Sequence, residues 1–465
     1  MKEAWQIEST IEAWEWNQRV HVYPWEWLFV FFFFIFFSIL AYRRKNKMIL
    51  KHSEYKYYVF GLYARMLGVI FFCLIYIYYY KGGDTVAYFE SSMAFANLFH
   101  SNPEAYFEAL WRPPSVEART LFSDQTGYPY TYLYYDEKTM IIIKLISPVT
   151  IITGKSYLIS SIIISWISYI GVWRLFRMFS HYFPEISGRL AFAVLFFPSS
   201  IFWGSGILKD TFTLMSTGLF VYTIHEEFII KNKKWSNRAM MLISAYLIYI
   251  IKPYILMALL PGTLLWIYYD KLKSGKNKMF LRLQLTVIML GALVVLFVGG
   301  GGLSGLFDET LKDAANKKND LIQDYYEGSG ANIGEFDGSL GGAVKLAPSA
   351  IIMGLFRPFL WEVNQVVVLL SGLENFFILI FLLFIIWRAG PLTFFRITAK
   401  NPLIFFCFLF SILFAFIIGL STSNFGALVR FKIPLLPFFI SALFIIGFLV
   451  SQKRTTRWSV SAKRK

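Results

Sequence analysis

The sequence is poor in cysteine and in charged residues. Only two cysteines, Cys73 and Cys407, occur in 465 residues. Both fall inside apolar runs, so no disulfide framework, thiol motif or cysteine-type metal site is indicated. Charged residues make up 16% of the chain and hydrophobic residues 57%, whereas soluble domains carry roughly 25% charged residues. The composition therefore predicts a polytopic membrane protein.

Motifs of conventional soluble cofactor enzymes are also missing. The sequence has no Gly-rich nucleotide loop, no Ser-His-Asp pattern and no histidine pair with metal-ligand spacing. The formal net charge is +16. In a membrane protein such an excess reflects cytoplasmic loops that hold the topology, so no nucleic-acid partner is expected.

Apolar runs near 20 residues, the length that spans a bilayer, predict an all-α transmembrane bundle of about eleven spans. Nine runs lie at 26–42, 59–80, 157–173, 190–207, 211–229, 283–302, 363–387, 402–420 and 432–451. The stretch 239–269 is interrupted by Lys252-Pro253, and it predicts two short helices that meet at a break. The segments 139–153 and 347–361 are expected to dip into the membrane or to lie at its surface.

The distribution of basic residues predicts the orientation of the chain. The segments expected on the cytoplasmic side hold most of the Lys and Arg residues, and they end in a basic tail at 452–465. The N-terminal tail 1–25 and the loops 81–138 and 303–348 fall on the opposite side of the transmembrane domain 26–451. Each loop has eight acidic against four basic residues. We expect a multi-pass protein of the plasma (inner) membrane, with its N-terminus outside and its C-terminus in the cytoplasm.

Charged residues that interrupt apolar segments gather at the predicted outer interface. They are Asp84 after Gly82-Gly83, Lys209 and Asp210 between two spans, Lys252 at the helix break, Arg357 before Pro358, and Arg430 with Lys432 in a late segment. Basic side chains are unexpected on this face by the positive-inside rule. A phosphate or pyrophosphate group at headgroup level explains them, because Arg and Lys bind it through charge-assisted hydrogen bonds.

The same residues also have plain structural interpretations. Asp84 fits a solvated turn equally well, and Lys209-Asp210 taken alone fits the cap of the next helix. Arg430 and Lys432 fit interfacial anchors. Glu374 falls inside the span 363–387, so it must be protonated or paired with a cation such as an arginine.

Five motifs together resemble a known family. They are Gly83-Asp84 with Tyr88, Pro198-Ser-Ser followed by Lys209-Asp210, Lys252-Pro253, the segment from Arg357 to Glu362, and Asn424-Phe-Gly-x-x-x-Arg430-x-x-x-Pro434. This set, spread over about 60–450, resembles bacterial polytopic glycosyltransferases of the GT-C type and the polysaccharide polymerases of envelope assembly. In the GT-C pattern the key acidic residue follows the first span, whereas Asp84 follows the second.

The resemblance implies transfer of a sugar from a polyprenyl-phosphate-linked donor to a glycan or other acceptor at the outer membrane face. Asp84 is the candidate general base, because the acceptor hydroxyl must lose a proton, and Asp210 is the second catalytic candidate. The candidates for binding the phosphate of the lipid carrier are Lys209, Lys252, Arg357 and Arg430. Tyr88, Glu362, Glu374 and Asn424 are candidates for acceptor binding or structural support. A divalent metal, Mg²⁺ or Mn²⁺, bound by Asp84 and Asp210 could share the role of stabilising the leaving phosphate.

Two other classes of function are compatible with the sequence. A flippase for lipid-linked oligosaccharides, or another secondary transporter, would use the same basic residues and broken helices, although no internal repeat is visible. A non-catalytic scaffold of an envelope complex would need none of these charges. The donor sugar, the acceptor and the oligomeric state are not encoded in any motif of the sequence.

Overall fold

The computed structural model describes residues 20–273, 340–363 and 366–462, together with residues 330 and 334. Every named element in these ranges is a helix, and the one β-bridge there joins Gly330 to Asn424. The predicted all-α fold class is therefore confirmed for the described chain.

Thirteen helices lie between residues 26 and 273. They are α1 Glu26–Met48, α2 Tyr58–Leu74, α3 Asp84–Ser101, α4 Pro103–Trp111, α5 Val116–Arg119, α6 Thr131–Tyr134, α7 Glu137–Ile152, α8 Tyr157–Tyr182, α9 Ser187–Leu195, α10 Pro198–Phe202, α11 Lys209–Ile224, α12 Trp235–Ile251 and α13 Pro253–Lys273. Short 3-10 or π turns extend three of them: Ser53–Tyr57 and Ile75–Tyr79 flank α2, Pro184–Ile186 precedes α9, and His225–Ile229 follows α11.

Six further helices follow in the described part of the chain. They are α14 Leu340–Phe356, α15 Val366–Ala389, α16 Pro391–Lys400, α17 Pro402–Ser421, α18 Phe425–Phe431 and α19 Leu436–Ala462. The residues form two compact units. Unit 1 contains Met1–Arg177, Ser200–Leu219 and Ile243–Lys252, and unit 2 contains Met178–Ser199, Phe220–Leu242 and Pro253–Lys465.

Polar caps explain where several helices begin. The Asn102 side chain accepts a hydrogen bond from the backbone N–H of Ala105 at the start of α4, and Asn401 does the same for Leu403 and Ile404 at the start of α17. A proline follows each asparagine, at the position where its missing N–H costs nothing. Such caps satisfy backbone donors that have no partner within the helix.

Five of the described helical segments are long and apolar enough to cross a membrane. They are Glu26–Met48, Ser53–Tyr79, Tyr157–Tyr182, Val368–Ala389 and Pro402–Ser421. The pair Phe425–Phe431 and Leu436–Gln452, which bends by 65°, makes a sixth if it is one span. These segments match the predicted runs at 26–42, 59–80, 157–173, 363–387, 402–420 and 432–451. The predicted span 283–302 lies outside the described residues.

The predicted break in the stretch 239–269 is confirmed. Helix α12 ends at Ile251 and α13 begins at Pro253, so Lys252 lies between them. Proline lacks the N–H that would continue the first helix, and its ring disfavours a helical conformation in the residue before it. The segment 347–361 is likewise interrupted, because α14 ends at Phe356, just before Arg357 and Pro358.

The prediction of a single helix over 190–207 is wrong. Helix α9 ends at Leu195, the short helix α10 covers Pro198–Phe202, and a glycine-containing turn leads to α11. Proline at 198 ends the first helix for the reason that separates α12 from α13. The segment 81–138, expected as an outer loop, carries the four helices α3 to α6. Turn residues separate these helices from one another, and the helices are too polar to be recognised as apolar runs in the sequence.

The close packing of α14 against α17 in unit 2 depends on glycine. A Cβ atom added to Gly354 would lie 2.2 Å from the carbonyl oxygen of Ala415, and one added to Gly419 would lie 2.0 Å from that of Ala350. Both distances are far below van der Waals contact. Small residues at such a crossing let two helix backbones approach closely, a common way to join helices in a membrane.

We expect Gly419→Ala to destabilise unit 2 by about 2 kcal/mol, because the new methyl group meets a backbone oxygen that can move only if the helices separate. Thermal unfolding of the purified protein in detergent measures this change. Gly447→Ala is the matched control, because a Cβ there meets only the mobile end of Ile385, at 2.9 Å. Equal melting temperatures for the two variants would contradict the prediction.

Candidate functional site

Asp84 begins α3 in a turn that leaves it little freedom. Gly82 and Gly83 have positive φ angles of 142° and 105°, which favour glycine. A Cβ atom on Gly83 would lie 3.1 Å from the ring of Tyr76. The backbone N–H of Gly82 donates to the carbonyl oxygen of Tyr76 over 3.0 Å. The half-buried Asp84 carboxylate is therefore held at the first turn of a well-packed helix.

Lys209 and Asp136 form an ion pair in unit 1, although 73 residues separate them in the sequence. The Lys209 Nζ atom lies 2.9 Å from Asp136 Oδ2, and the side chains are 20% and 43% exposed. Asp136 also caps α7, because its Oδ1 accepts a hydrogen bond from the backbone N–H of Lys138 over 3.1 Å. The hydroxyl of Thr139 donates to Asp136 Oδ2. The cap fixes the carboxylate, and the carboxylate in turn positions the ammonium group.

The charges around Lys209 act on its titration and on that of its partner. Burial lowers the pKa of Lys209, while the carboxylates of Asp136 and Asp84 raise it and Lys252 lowers it, so that the value lies below the ordinary one. Burial raises the pKa of Asp136, but Lys209 and the hydrogen bonds of Thr139 outweigh it, and this pKa lies below its ordinary value. Asp84 is therefore close enough to Lys209 to interact with it electrostatically.

A second ion pair in unit 1 is almost completely buried. The Lys252 Nζ atom lies 2.5 Å from Asp210 Oδ1, with side-chain exposures of 7% and 1%. Asp210 occupies the first turn of α11 and Lys252 the break before Pro253, so the pair connects two interrupted segments. We call Asp84, Asp136, Lys209, Asp210 and Lys252 the Asp84 cluster. It brings together four residues predicted from the sequence and adds Asp136, which sequence reasoning missed.

Arg65 is a second residue that the sequence interpretation missed. Its side chain is 2% exposed in α2. It donates hydrogen bonds to the backbone oxygen of Ser200 at 3.0 Å, to the hydroxyl of Ser168 at 2.9 Å and to the backbone oxygen of Gly204. Arg65 thereby holds the turn that leads into Lys209. A lone arginine inside the apolar run 59–80 was the available signal, since such a charge needs partners within the protein.

Unit 2 contains a separate polar cluster around Lys432, which is 2% exposed. The Lys432 Nζ atom donates to the backbone oxygen of Arg357 at 2.9 Å and to Asn375 Oδ1 at 2.6 Å. The Arg357 guanidinium is bound by both carboxylate oxygens of Glu362. Burial raises the pKa of Glu362, but the hydrogen bonds from Arg357 and Phe359 outweigh it and leave this pKa below its ordinary value. These contacts therefore stabilise the interruption after α14. We call Lys432, Arg357, Glu362 and Asn375 the Lys432 cluster.

Glu374, expected to be protonated or paired with a cation, has Ser199 as its hydrogen-bond partner. Its carboxylate accepts hydrogen bonds from the backbone N–H of Ser199, at 2.8 Å, and from the Ser199 hydroxyl. The cation whose charge acts on it is Lys432. The sequence predicted protonation or a cation such as an arginine, and the fold places Ser199 against this carboxylate and Lys432 where its charge acts on it.

The remaining predicted site residues have mainly structural positions. Tyr88 is 5% exposed within α3. Asn424 caps α18 by accepting a hydrogen bond from the backbone N–H of Ala427 over 3.1 Å. Arg430 is half-buried in the last turn of α18 in unit 2. Of these three residues, only Arg430 carries a charge that suits phosphate.

The described residues contain no group of three or more His, Cys, Asp or Glu side chains arranged to hold a metal ion. Asp210, one of the two residues considered for Mg²⁺ or Mn²⁺, has Lys252 against its carboxylate. A divalent cation would have to displace that ammonium group. The donor set of the Asp84 cluster therefore fits a resident metal poorly, and no chemical step is assigned to one.

The Asp84 cluster thus combines a half-buried carboxylate with an ammonium group whose orientation is fixed by a second carboxylate. Such an arrangement can accept a proton at one atom and stabilise negative charge at another.

None of the comparisons of the chain with protein-family models, curated proteins and solved structures found a match.

Proposed function

We propose that the protein is a membrane-embedded glycosyltransferase that uses a polyprenyl-phosphate-linked sugar at the extracytoplasmic face, in the assembly of a cell-envelope polysaccharide or glycoconjugate. The observation that carries the proposal is the ion pair in which Asp136 binds the ammonium group of Lys209 at 2.9 Å, while the charge of Asp84 also acts on this lysine. Glycosyl transfer needs these two kinds of group, a base for the acceptor and a cation for the leaving phosphate.

In this proposal the Asp84 carboxylate removes the proton from the acceptor hydroxyl. The hydroxyl oxygen forms a bond to the anomeric carbon of the donor sugar as the bond from that carbon to the phosphate oxygen breaks. The phosphate leaves with the bonding electron pair, and its added negative charge is stabilised by Lys209. Asp136 acts through Lys209 and is therefore a positioning residue.

The other predicted cations are less suited to the leaving group. Lys252 is bound to Asp210, which is 1% exposed, and Arg357 to Glu362, which is 17% exposed. By contrast, the partner of Lys209, Asp136, is 43% exposed and stays solvated when Lys209 turns to a phosphate. Breaking a buried pair to bind phosphate leaves a carboxylate without compensation, which costs several kcal/mol. Asp210 is accordingly a support for Lys252 and a weaker candidate for catalysis than Asp84. Arg430 is the remaining cation from the predicted set.

The proposed topology places the catalytic residues on the outer side of the plasma membrane. We propose about eleven spans with the N-terminus outside and the C-terminus in the cytoplasm, as the distribution of Lys and Arg favours. The five apolar helical segments of the described chain, or six with the bent pair, support a multi-pass protein. Cysteine-accessibility labelling of the tails in spheroplasts measures the orientation.

A lipid-linked oligosaccharide flippase is the second candidate, and the Lys432 cluster favours it. The buried ammonium group of Lys432 lies between two helices that meet at 65°, its two hydrogen-bond acceptors, the backbone oxygen of Arg357 and the amide of Asn375, are neutral, and the Glu374 carboxylate interacts with it through charge. Charges beside interrupted helices mark the substrate sites of many transporters. The phosphate headgroup of a transported lipid would interact with the ammonium group of Lys432 as it crosses the membrane.

Reconstitution of the purified protein into liposomes with a crude lipid extract separates the candidates. A transferase consumes the polyprenyl-linked sugar when an acceptor is supplied, and the product carries the transferred sugar. Movement of the lipid headgroup across the bilayer without consumption would replace the enzyme proposal with the flippase. A scaffold would do neither, and protein-free liposomes give the background for both measurements.

A further inference from the structure

A cavity of about 410 Å³ lies beside the turn that carries Asp84 in unit 1. Its wall combines the apolar or aromatic side chains of Val20, Ile77, Tyr78 and Val86 with the basic side chains of His21 and Lys81. Gly82 and Val86 lie on either side of Asp84 in the sequence. A site with an apolar wall and two basic groups fits an anionic amphiphile better than a neutral sugar.

The position of Lys81 is set by its backbone. Lys81 has a positive φ of 52° and follows Tyr80, the residue that caps the π turn Ile75–Tyr79. The backbone N–H of Tyr80 donates to the carbonyl oxygen of Ile75 over 2.9 Å, which closes that turn. A fixed backbone at this position places the base of the lysine side chain at the cavity, so that less entropy is lost when an anion binds.

Lys81 also differs from the two lysines of the Asp84 cluster. Lys209 and Lys252 each contact a carboxylate, whereas no carboxylate lies within ion-pair distance of Lys81 in the described part of the chain. The beginning of α3, an 18-residue helix, contributes to the same wall through Val86. The amino end of this helix already holds the Asp84 carboxylate, so the attraction for an anion comes from Lys81 and His21.

The surroundings indicate that the anion belongs to a membrane lipid. Tyr78 and Tyr79 are 63% and 54% exposed, and Trp25 and Trp27 are 46% and 42% exposed. Exposed Tyr and Trp residues at the ends of apolar helices mark the headgroup level of a bilayer. A phosphate group at this level would meet Lys81, and the first part of its hydrocarbon chain would contact Ile77 and Val86.

We infer that this cavity binds the phosphate group of a prenyl lipid, with Lys81 as its main charged contact. The chemical class of the lipid rests on the proposed function, but the binding site does not require catalysis. The site supplies the donor or holds the released carrier within reach of Asp84. It also assigns phosphate recognition to a residue outside the set predicted from the sequence.

Equilibrium binding of radiolabelled geranyl phosphate to the purified full-length protein in detergent tests the inference. We expect Lys81→Gln to weaken binding about tenfold, the usual effect of losing one charge-assisted contact, and Lys81→Arg to retain most of the affinity. Lys155→Gln is the matched control. Lys155 is also exposed with a positive φ, 64°, but it does not line the cavity.

Competition experiments identify the source of the phosphate. We expect unlabelled geranyl phosphate to compete well and both geraniol and inorganic phosphate to compete poorly, because the site uses charge and hydrocarbon together. Inorganic phosphate that competes as well as geranyl phosphate would overturn the lipid assignment. Wild-type affinity in Lys81→Gln would overturn the site.

The outcome is separable from that of the proposed function. Sugar transfer by a protein whose geranyl phosphate binding does not depend on Lys81 would leave the glycosyltransferase proposal standing and remove this site. Lys81-dependent binding without any sugar transfer would retain the site and remove the enzyme proposal.

Discussion

Asp84→Asn is expected to reduce sugar transfer by about 100-fold or more, because general bases contribute roughly 10²- to 10⁴-fold to such reactions. The asparagine amide has nearly the same size as the aspartate carboxylate, but it cannot take the proton from the hydroxyl group of the acceptor. The turn of Gly82 and Gly83 does not depend on the charge, so the variant keeps its fold. Initial rates of polyprenyl-linked sugar consumption in liposomes measure the loss.

Asp124→Asn provides the matched control for this measurement. Asp124 belongs to the same unit and undergoes the same chemical change, but it is exposed and lies outside the Asp84 cluster. We expect its rate to equal that of the wild type. If Asp84→Asn retains the wild-type rate while its melting temperature is unchanged, Asp84 is not the base and the proposed mechanism fails.

Lys252→Met is expected to destabilise the protein by about 3–5 kcal/mol, the usual cost of removing one partner from a buried ion pair. The substitution leaves the Asp210 carboxylate, which is 1% exposed, without the ammonium group that lies 2.5 Å away. The two residues also connect α11 to the break between α12 and α13. Thermal and denaturant unfolding of the purified protein in detergent measure the loss.

The double variant Asp210→Asn/Lys252→Met distinguishes loss of charge compensation from loss of packing. Removing both charges eliminates the uncompensated carboxylate, so we expect most of the lost stability to return. Lys155→Met, at an exposed lysine of the same unit, should leave the melting temperature unchanged. A double variant as unstable as Lys252→Met alone would show that the lysine stabilises the break through other contacts.

The ion pairs divide the predicted residues into those that can take part in the proposed reaction and those that stabilise the fold. Asp84 and Lys209 combine partial exposure with mutual electrostatic influence, whereas Asp210 and Lys252 are bound to each other and buried. Glu374 binds Ser199, and Glu362 binds Arg357. A charge in an apolar segment was therefore a reliable sign of a specific partner, but it did not reveal whether the partner was a substrate or another side chain.

Helical segments were predictable where a single local property decides the conformation. Apolar runs of spanning length predicted the helices that include 26–42, 157–173 and 402–420. The missing N–H of Pro253 predicted the break after α12. The run 190–207 was misinterpreted because apolar content does not register the proline that ends a helix within it.

The partners of the charged residues were not predictable in this way. Lys209 meets Asp136 across 73 residues and Lys252 meets Asp210 across 42, and no local pattern encodes either separation. Arg65 was recognisable as a buried charge, yet its acceptors include two backbone oxygens that exist as a site only after the turn at 200–208 has formed.

Composition, apolar runs and helix-breaking prolines thus predict, from the sequence alone, an all-α chain with several helices apolar enough to cross a membrane, because hydrophobic burial and backbone hydrogen bonding act within each segment. Which carboxylate binds which ammonium group, and which of these groups stays accessible to a ligand, is decided only when distant segments pack together. The energy of an ion pair depends on distance and burial, and both are properties of the folded chain.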